Sequence, residues 1–162
     1  MSLQRYARDT PNVAIFAKNH LMYLEGAAAR EPDQLTTFRS SATWRSAHTA
    51  VDHHGPRTIY FMSIGDDEGL VTHQAVLEEV LILKEWDQEE IDQTLLHQLP
   101  ETEKEGLWDG NVQTLYVIRN CREFEEPFPF TELTKLEDGI GLSEGFRYSY
   151  ALVIEREESS VE

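Results

Sequence analysis

Residues 57–64, Arg-Thr-Ile-Tyr-Phe-Met-Ser-Ile, constrain this chain more than any other stretch. In an extended backbone successive side chains point to opposite faces, so Ile59 and Phe61 share one face and Tyr60, Met62 and Ile64 the other. Both faces are apolar, and such a strand has to lie inside a sheet that is covered on both sides. A second apolar run, 12–17 (Asn-Val-Ala-Ile-Phe-Ala), follows a proline and reads as a buried first strand.

The remaining elements follow from punctuation and spacing. Asn19 is a candidate N-cap for a helix near 19–29, whose apolar Leu21, Met22 and Leu24 lead into the small residues 26–29 before Pro32 bars continuation. Residues 35–39 (Leu-Thr-Thr-Phe-Arg) form a second strand, and the polar stretch 40–55, built around Trp44, is a long loop or a short helix. A turn is expected at 65–69. Over 70–86 helical spacing competes with the β-branched run 80–83, and we read a strand. Asp87 and Glu90 make a capping box ahead of the stripe Ile91, Leu95 and Leu99, which predicts a helix closed by Pro100. A strand over 113–120, an extended Pro-Phe segment over 124–130, a helical turn over 131–136 and a final strand over 148–155 complete the order.

Five or six short strands with two or three inserted helices describe an α+β fold, and a small mixed barrel hides the strand edges economically. No repeat or Pro/Gly/Ser-rich linker divides the chain, so one domain is expected over 1–162, with 1–11 and 156–162 as flexible tails. Cys121 is the single cysteine, which excludes an internal disulfide. No apolar run approaches the about 20 residues that cross a bilayer, and no membrane partner is expected; the setting expected is cytoplasmic.

Charge narrows the function. The chain carries 14 basic and 30 acidic residues, a formal net charge of −16. Seven of the basic residues and only five of the acidic ones lie within 1–60, a net of +2, which leaves −18 for 61–162. An anionic ligand therefore has to be met by the first third, and a long basic track along a phosphate backbone is excluded.

Within that third, Phe38, Arg39, Trp44, Arg45 and His48 bring aromatic planes and cations together, the means by which a base is stacked and a phosphate held. Ser40 and Ser41 add hydroxyls for a base edge, and Lys18 and Arg57 are secondary cations. His48, Asp52, His53 and His54 are metal-ligand types, but adjacent histidines in a Gly-Pro-terminated loop point apart, and neither a metal nor a cofactor is expected. There is no Gly-rich phosphate loop, no His-Glu-x-x-His and no dinucleotide fingerprint, so no catalytic residue is assigned and a binder is favoured over an enzyme.

The succession of strand 13–17, helix 19–29, a strand ending in Arg39, and Gly55-Pro56-Arg57-Thr58-Ile59-Tyr60-Phe61 resembles the opening of ASCH and EVE domains of the PUA-like superfamily. The run from Tyr116 to Phe130 is similar to their strand and Pro-flanked crossing segment. The resemblance implies a pseudobarrel whose cleft accepts a base, modified or not, in RNA, single-stranded DNA or a free nucleoside. It departs from the ASCH pattern at Phe38, where a Glu is expected, and at Gly55-Pro56, where Gly-Asp is usual. Some ASCH-like proteins are amidohydrolases using Lys, Thr and Glu, so such an enzyme acting on a modified nucleoside is the alternative. An acidic protein-interaction domain is the other.

Overall fold

The computed structural model describes residues 3–64, 69–85, 112–146 and 149–156. The two apolar runs that open the sequence reading lie side by side. β1 (Val13–His20) and β3 (Arg57–Ile64) pair in parallel, with Ile15 opposite Ile59 and Asn19 opposite Ser63. From Ile59 to Ser63 every residue of β3 is buried, as its two apolar faces require. Among the described residues six strands form one mixed sheet in the order β2-β5-β4-β3-β1-β6, where β2 is Thr36–Ser40, β4 Leu70–Ile82, β5 Thr114–Pro129 and β6 Tyr150–Ile154.

One face of the sheet carries Ile15, Ala17, Ile59, Phe61, Leu77, Tyr116 and Ile118 and is covered by three helices. These are α1 (Leu3–Asp9), α2 (Leu21–Ala28) and α3 (Arg45–His54), which contribute Ala7, Leu24, Ala27, Ala47 and Ala50 to the same core. Small residues at 46, 47 and 50 let α3 lie close against its neighbours. Its end is set by Gly55, whose φ of +85° strains any other residue. The opposite face carries Ala14, Phe16, Tyr60, Met62 and Val153 under Phe130, Leu133 and Leu142.

The expected barrel is not closed: β2 and β6 are the two edges of an open sheet. The sheet is nevertheless strongly curled. Asn19 Nδ2 on β1 donates to the Tyr116 hydroxyl on β5 at 3.1 Å, although β3 and β4 lie between those strands. Register shifts along β4 and β5 produce the curl: Gln74 pairs with Arg122 but Val76 with Arg119, so β5 holds an extra residue where Asn120 adopts a φ of 55°. A second bulge between Leu77 and Glu79 turns Leu77 and Val80 to the same core. The edges that closure would have removed are managed in other ways. β2 is only five residues long, and segment 134–136 runs along the outer side of β6, with Ile154 N donating to Thr134 O and Leu136 N to Leu152 O.

Several local expectations change. Asn19 does not cap α2: it lies within β1 one residue before its end, and its Oδ1 accepts from His20 N. The strand at 113–120 and the Pro-Phe segment at 124–130 are one strand, β5, with irregular pairing between them. The stretch 40–55 resolves into a short loop and α3. Residues 3–9, read as part of a tail, are helical, with Ala7 fully buried and its carbonyl 2.8 Å from His54 Nε2. The capping box at Asp87 and its helix, and most of the turn at 65–69, lie outside the described residues.

Candidate binding cleft

β1 and β3 run in the same direction, so both release the chain at the same end of the sheet. A two-lobed cleft opens there, and Lys18 and Ile64 line both lobes. The larger lobe, about 540 Å³, lies between Met62 of β3, Pro129 and Phe130 at the end of β5, and Phe146. Thr131 and Glu144 supply its remaining polar groups. That volume falls within the range of ordinary small-molecule sites, about 300–1,000 Å³.

The smaller lobe, about 190 Å³, is lined by Asn19 and His20 at the end of β1, by Arg39, Ser40, Ser41 and Trp44, and by Tyr116 and Ser149. Among the described residues none that lines it is a carboxylate, in a chain with 30 of them. The loop from Ser40 to Trp44 is held by an internal set of hydrogen bonds. Ser40 Oγ accepts from Trp44 Nε1 at 3.0 Å and from Ala42 N at 3.2 Å, and Thr114 Oγ1 accepts from Trp44 N while donating to Ala42 O. With two N–H groups already accepted, the Ser40 hydroxyl proton is directed elsewhere. Ser149 Oγ is buried without a hydrogen-bond partner among the described residues. α2 and α3 both start at this wall, their N-cap residues being His20 and Trp44, and neither has a side-chain cap. The positive ends of two helix dipoles therefore face the lobe.

Five of the eight residues singled out in the sequence meet here: Lys18, Arg39, Ser40, Ser41 and Trp44. Trp44 has a different part from the one its sequence suggests. It is 1% exposed and stacks on Tyr116 at 4.1 Å and on Tyr150 at 4.8 Å between ring centroids. It is wall, with its stacking capacity taken up by tyrosines. Burial pushes the Tyr116 hydroxyl above its ordinary range, partly offset by the Asn19 hydrogen bond, and it stays neutral. Lys18 Nζ donates to Phe146 O at 3.0 Å and sits 5.3 Å from the centre of the Phe146 ring.

The other three lie elsewhere. Arg45 forms an ion pair with Glu85 at 2.6 Å, which raises the Arg45 pKa and lowers that of Glu85, and His48 lies in the field of the same carboxylate. Arg57 is at the far end of β3, roughly 23 Å along the strand, where it donates to the Pro11 and Pro56 carbonyls. Among the described residues no group of three His, Cys, Asp or Glu is arranged to hold a metal ion. No described helix is long and apolar enough to cross a membrane.

Of the residues that line the larger lobe, the sequence singles out Lys18 alone as a candidate site residue, Met62 and Phe130 being read only as parts of a strand and of the Pro-Phe segment. Residues 141–145, Gly-Leu-Ser-Glu-Gly, have the spacing of a nucleophile elbow. An elbow places its serine between a strand and a helix. Ser143 is instead exposed in irregular chain, and its carbonyl accepts from Phe146 N in the turn that follows.

No model of a known protein family matches this chain, and no curated protein matches it. Among solved structures it is similar to the N-terminal domain of Staphylothermus marinus McrB, at 11% identity and a TM-score of 0.40, over 74% of this chain and 77% of that one. A likeness of that size transfers neither fold nor function.

Proposed function

We propose that this chain is a PUA-like module that binds a single nucleotide of an RNA or of single-stranded DNA in the cleft at the ends of β1 and β3. One observation carries the reading: in a chain of net charge −16, the described residues that line the smaller lobe include no carboxylate and furnish it with Lys18, His20, Arg39, three serine hydroxyls and two helix starts. That chemistry suits an anion with polar substituents. The curled mixed sheet, with a helix straight after β1 and a short strand carrying Arg39 into a loop, agrees with the PUA-like resemblance of the sequence. The acidity of the rest opposes a long duplex.

Fluorescence anisotropy with labelled single-stranded RNA and DNA dodecamers tests the reading. Binding is expected, weakened about ten-fold in Arg39→Ala, the loss of one charge-assisted hydrogen bond. No binding to either polymer, or Lys18→Ala and Arg39→Ala variants that bind like the parent, would overturn it.

A hydrolase acting on an acylated nucleoside is a second reading, favoured by one observation: Lys18, Thr131 and Glu144 line the same lobe. It requires turnover, measured by chromatography of the product nucleoside, and the loss of that turnover in Glu144→Gln. Phe38 offers no carboxylate to such a site, being packed against Phe61 and Tyr116.

A further inference from the structure

Two lobes that share a wall but differ in chemistry divide a ligand between them. We propose that the larger lobe takes the nucleobase and the smaller one the phosphate of the same nucleotide, with Lys18 at the boundary touching both parts; this rests on the nucleotide-binding reading above. The assignment reverses what the sequence suggests, which is a base stacked on Trp44 beside Arg39.

The first reason is steric. The smaller lobe measures about 190 Å³, and its one indole is already stacked on Tyr116 and Tyr150, so a base entering there has to displace a tyrosine. The larger lobe measures about 540 Å³ and has flat, apolar walls in Met62, Pro129, Phe130 and Phe146. The second reason is electrostatic. Glu144 lines the larger lobe and repels a phosphate there, while its carboxylate can accept an N–H from a base edge. Among the described residues the smaller lobe is lined by no carboxylate, and Arg39, His20 and the proton of Ser40 are donors. Ser149 adds to the same lobe a buried hydroxyl without a partner among the described residues. The third reason is connectivity: Lys18 and Ile64 line both lobes, so one ligand can reach from one to the other.

Amide chemical-shift mapping on the whole chain, with inorganic phosphate, cytidine and cytidine 5′-monophosphate as probes, separates the parts. Phosphate is expected to move amides of residues 20–22 and 39–46, cytidine those of 62–64, 130–132 and 146, and the monophosphate both sets. The monophosphate should bind about ten-fold more tightly than cytidine, and Arg39→Ala should bring that ratio close to one. Phosphate and cytidine moving the same amides, or cytidine moving 39–46 alone, would overturn the division while leaving nucleotide binding intact. If neither the monophosphate nor a single-stranded dodecamer binds, the nucleotide reading itself falls, and the division with it.

Discussion

Trp44 holds the cleft's shape from behind its surface. Its ring is covered by two tyrosines and its Nε1 is committed to Ser40, so its removal leaves a cavity and an unsatisfied loop. Trp44→Ala is expected to destabilise the fold by about 3–5 kcal/mol, measured as a lower denaturation midpoint, and Arg39→Ala, at an exposed site, by much less. Lost binding in the tryptophan variant therefore reports on folding, and the arginine variant is the informative one. His73 is a second residue with a readable consequence. It is 1% exposed, with Nδ1 2.8 Å from Thr72 Oγ1. Burial holds its pKa below the ordinary value, against the pull of Glu123 and Glu25. The folded state thus favours neutral imidazole. Its contribution is complete above the unfolded pKa of about 6.5 and is lost as the pH falls from there through the folded value. Urea midpoints at pH 7.5 and 5.5 should show a fall in the parent that is smaller in His73→Gln. At this scale the sequence was partly legible. Lys18, Arg39, Ser40 and Ser41 stand out as polar groups beside strand ends. The burial of Trp44 was not legible, because it depends on Tyr116 and Tyr150, 72 and 106 positions away in the chain.

Among the elements, the strands announced themselves where their faces were unambiguous. β3, apolar on both sides, was placed correctly, and it sits between β1 and β4. β4 was identified despite its helical spacing, and the reason for the ambiguity is now visible. The bulge between Leu77 and Glu79 breaks the two-residue period and turns Leu77 and Val80 inward together. α1 left no signal, since its single buried residue is Ala7. The open sheet was illegible for a similar reason: what covers the β6 edge is irregular chain at 134–136, which has no periodicity to detect. That chain returns past Gly141, where a Cβ would stand 2.6 Å from the Thr131 carbonyl oxygen. Gly141→Ala should therefore cost about 1–3 kcal/mol and shift Thr131, which lines the larger lobe. Calorimetry gives the first effect and the 130–132 amide resonances the second; an unshifted Thr131 amide would mean that the cleft wall is independent of this turn.

For the molecule as a whole, charge sets the kind of polymer that can approach. The net −16 opposes every phosphate beyond those the cleft neutralises. Affinity should then gain little as a single strand is lengthened past a few nucleotides. The slope of log K against log salt should stay near −1, the value for one or two phosphates at about −0.7 each. Anisotropy titrations between 50 and 200 mM salt measure the slope, and a steep one would reveal a second contact surface. A duplex of equal length should bind more weakly than its separated strand. The Asn19–Tyr116 hydrogen bond, made between strands that two others separate, has a consequence for time as well as for shape. It braces facing walls before any ligand arrives, so entry does not wait for the walls to move. In stopped flow the observed rate should climb in proportion to ligand concentration and never level off.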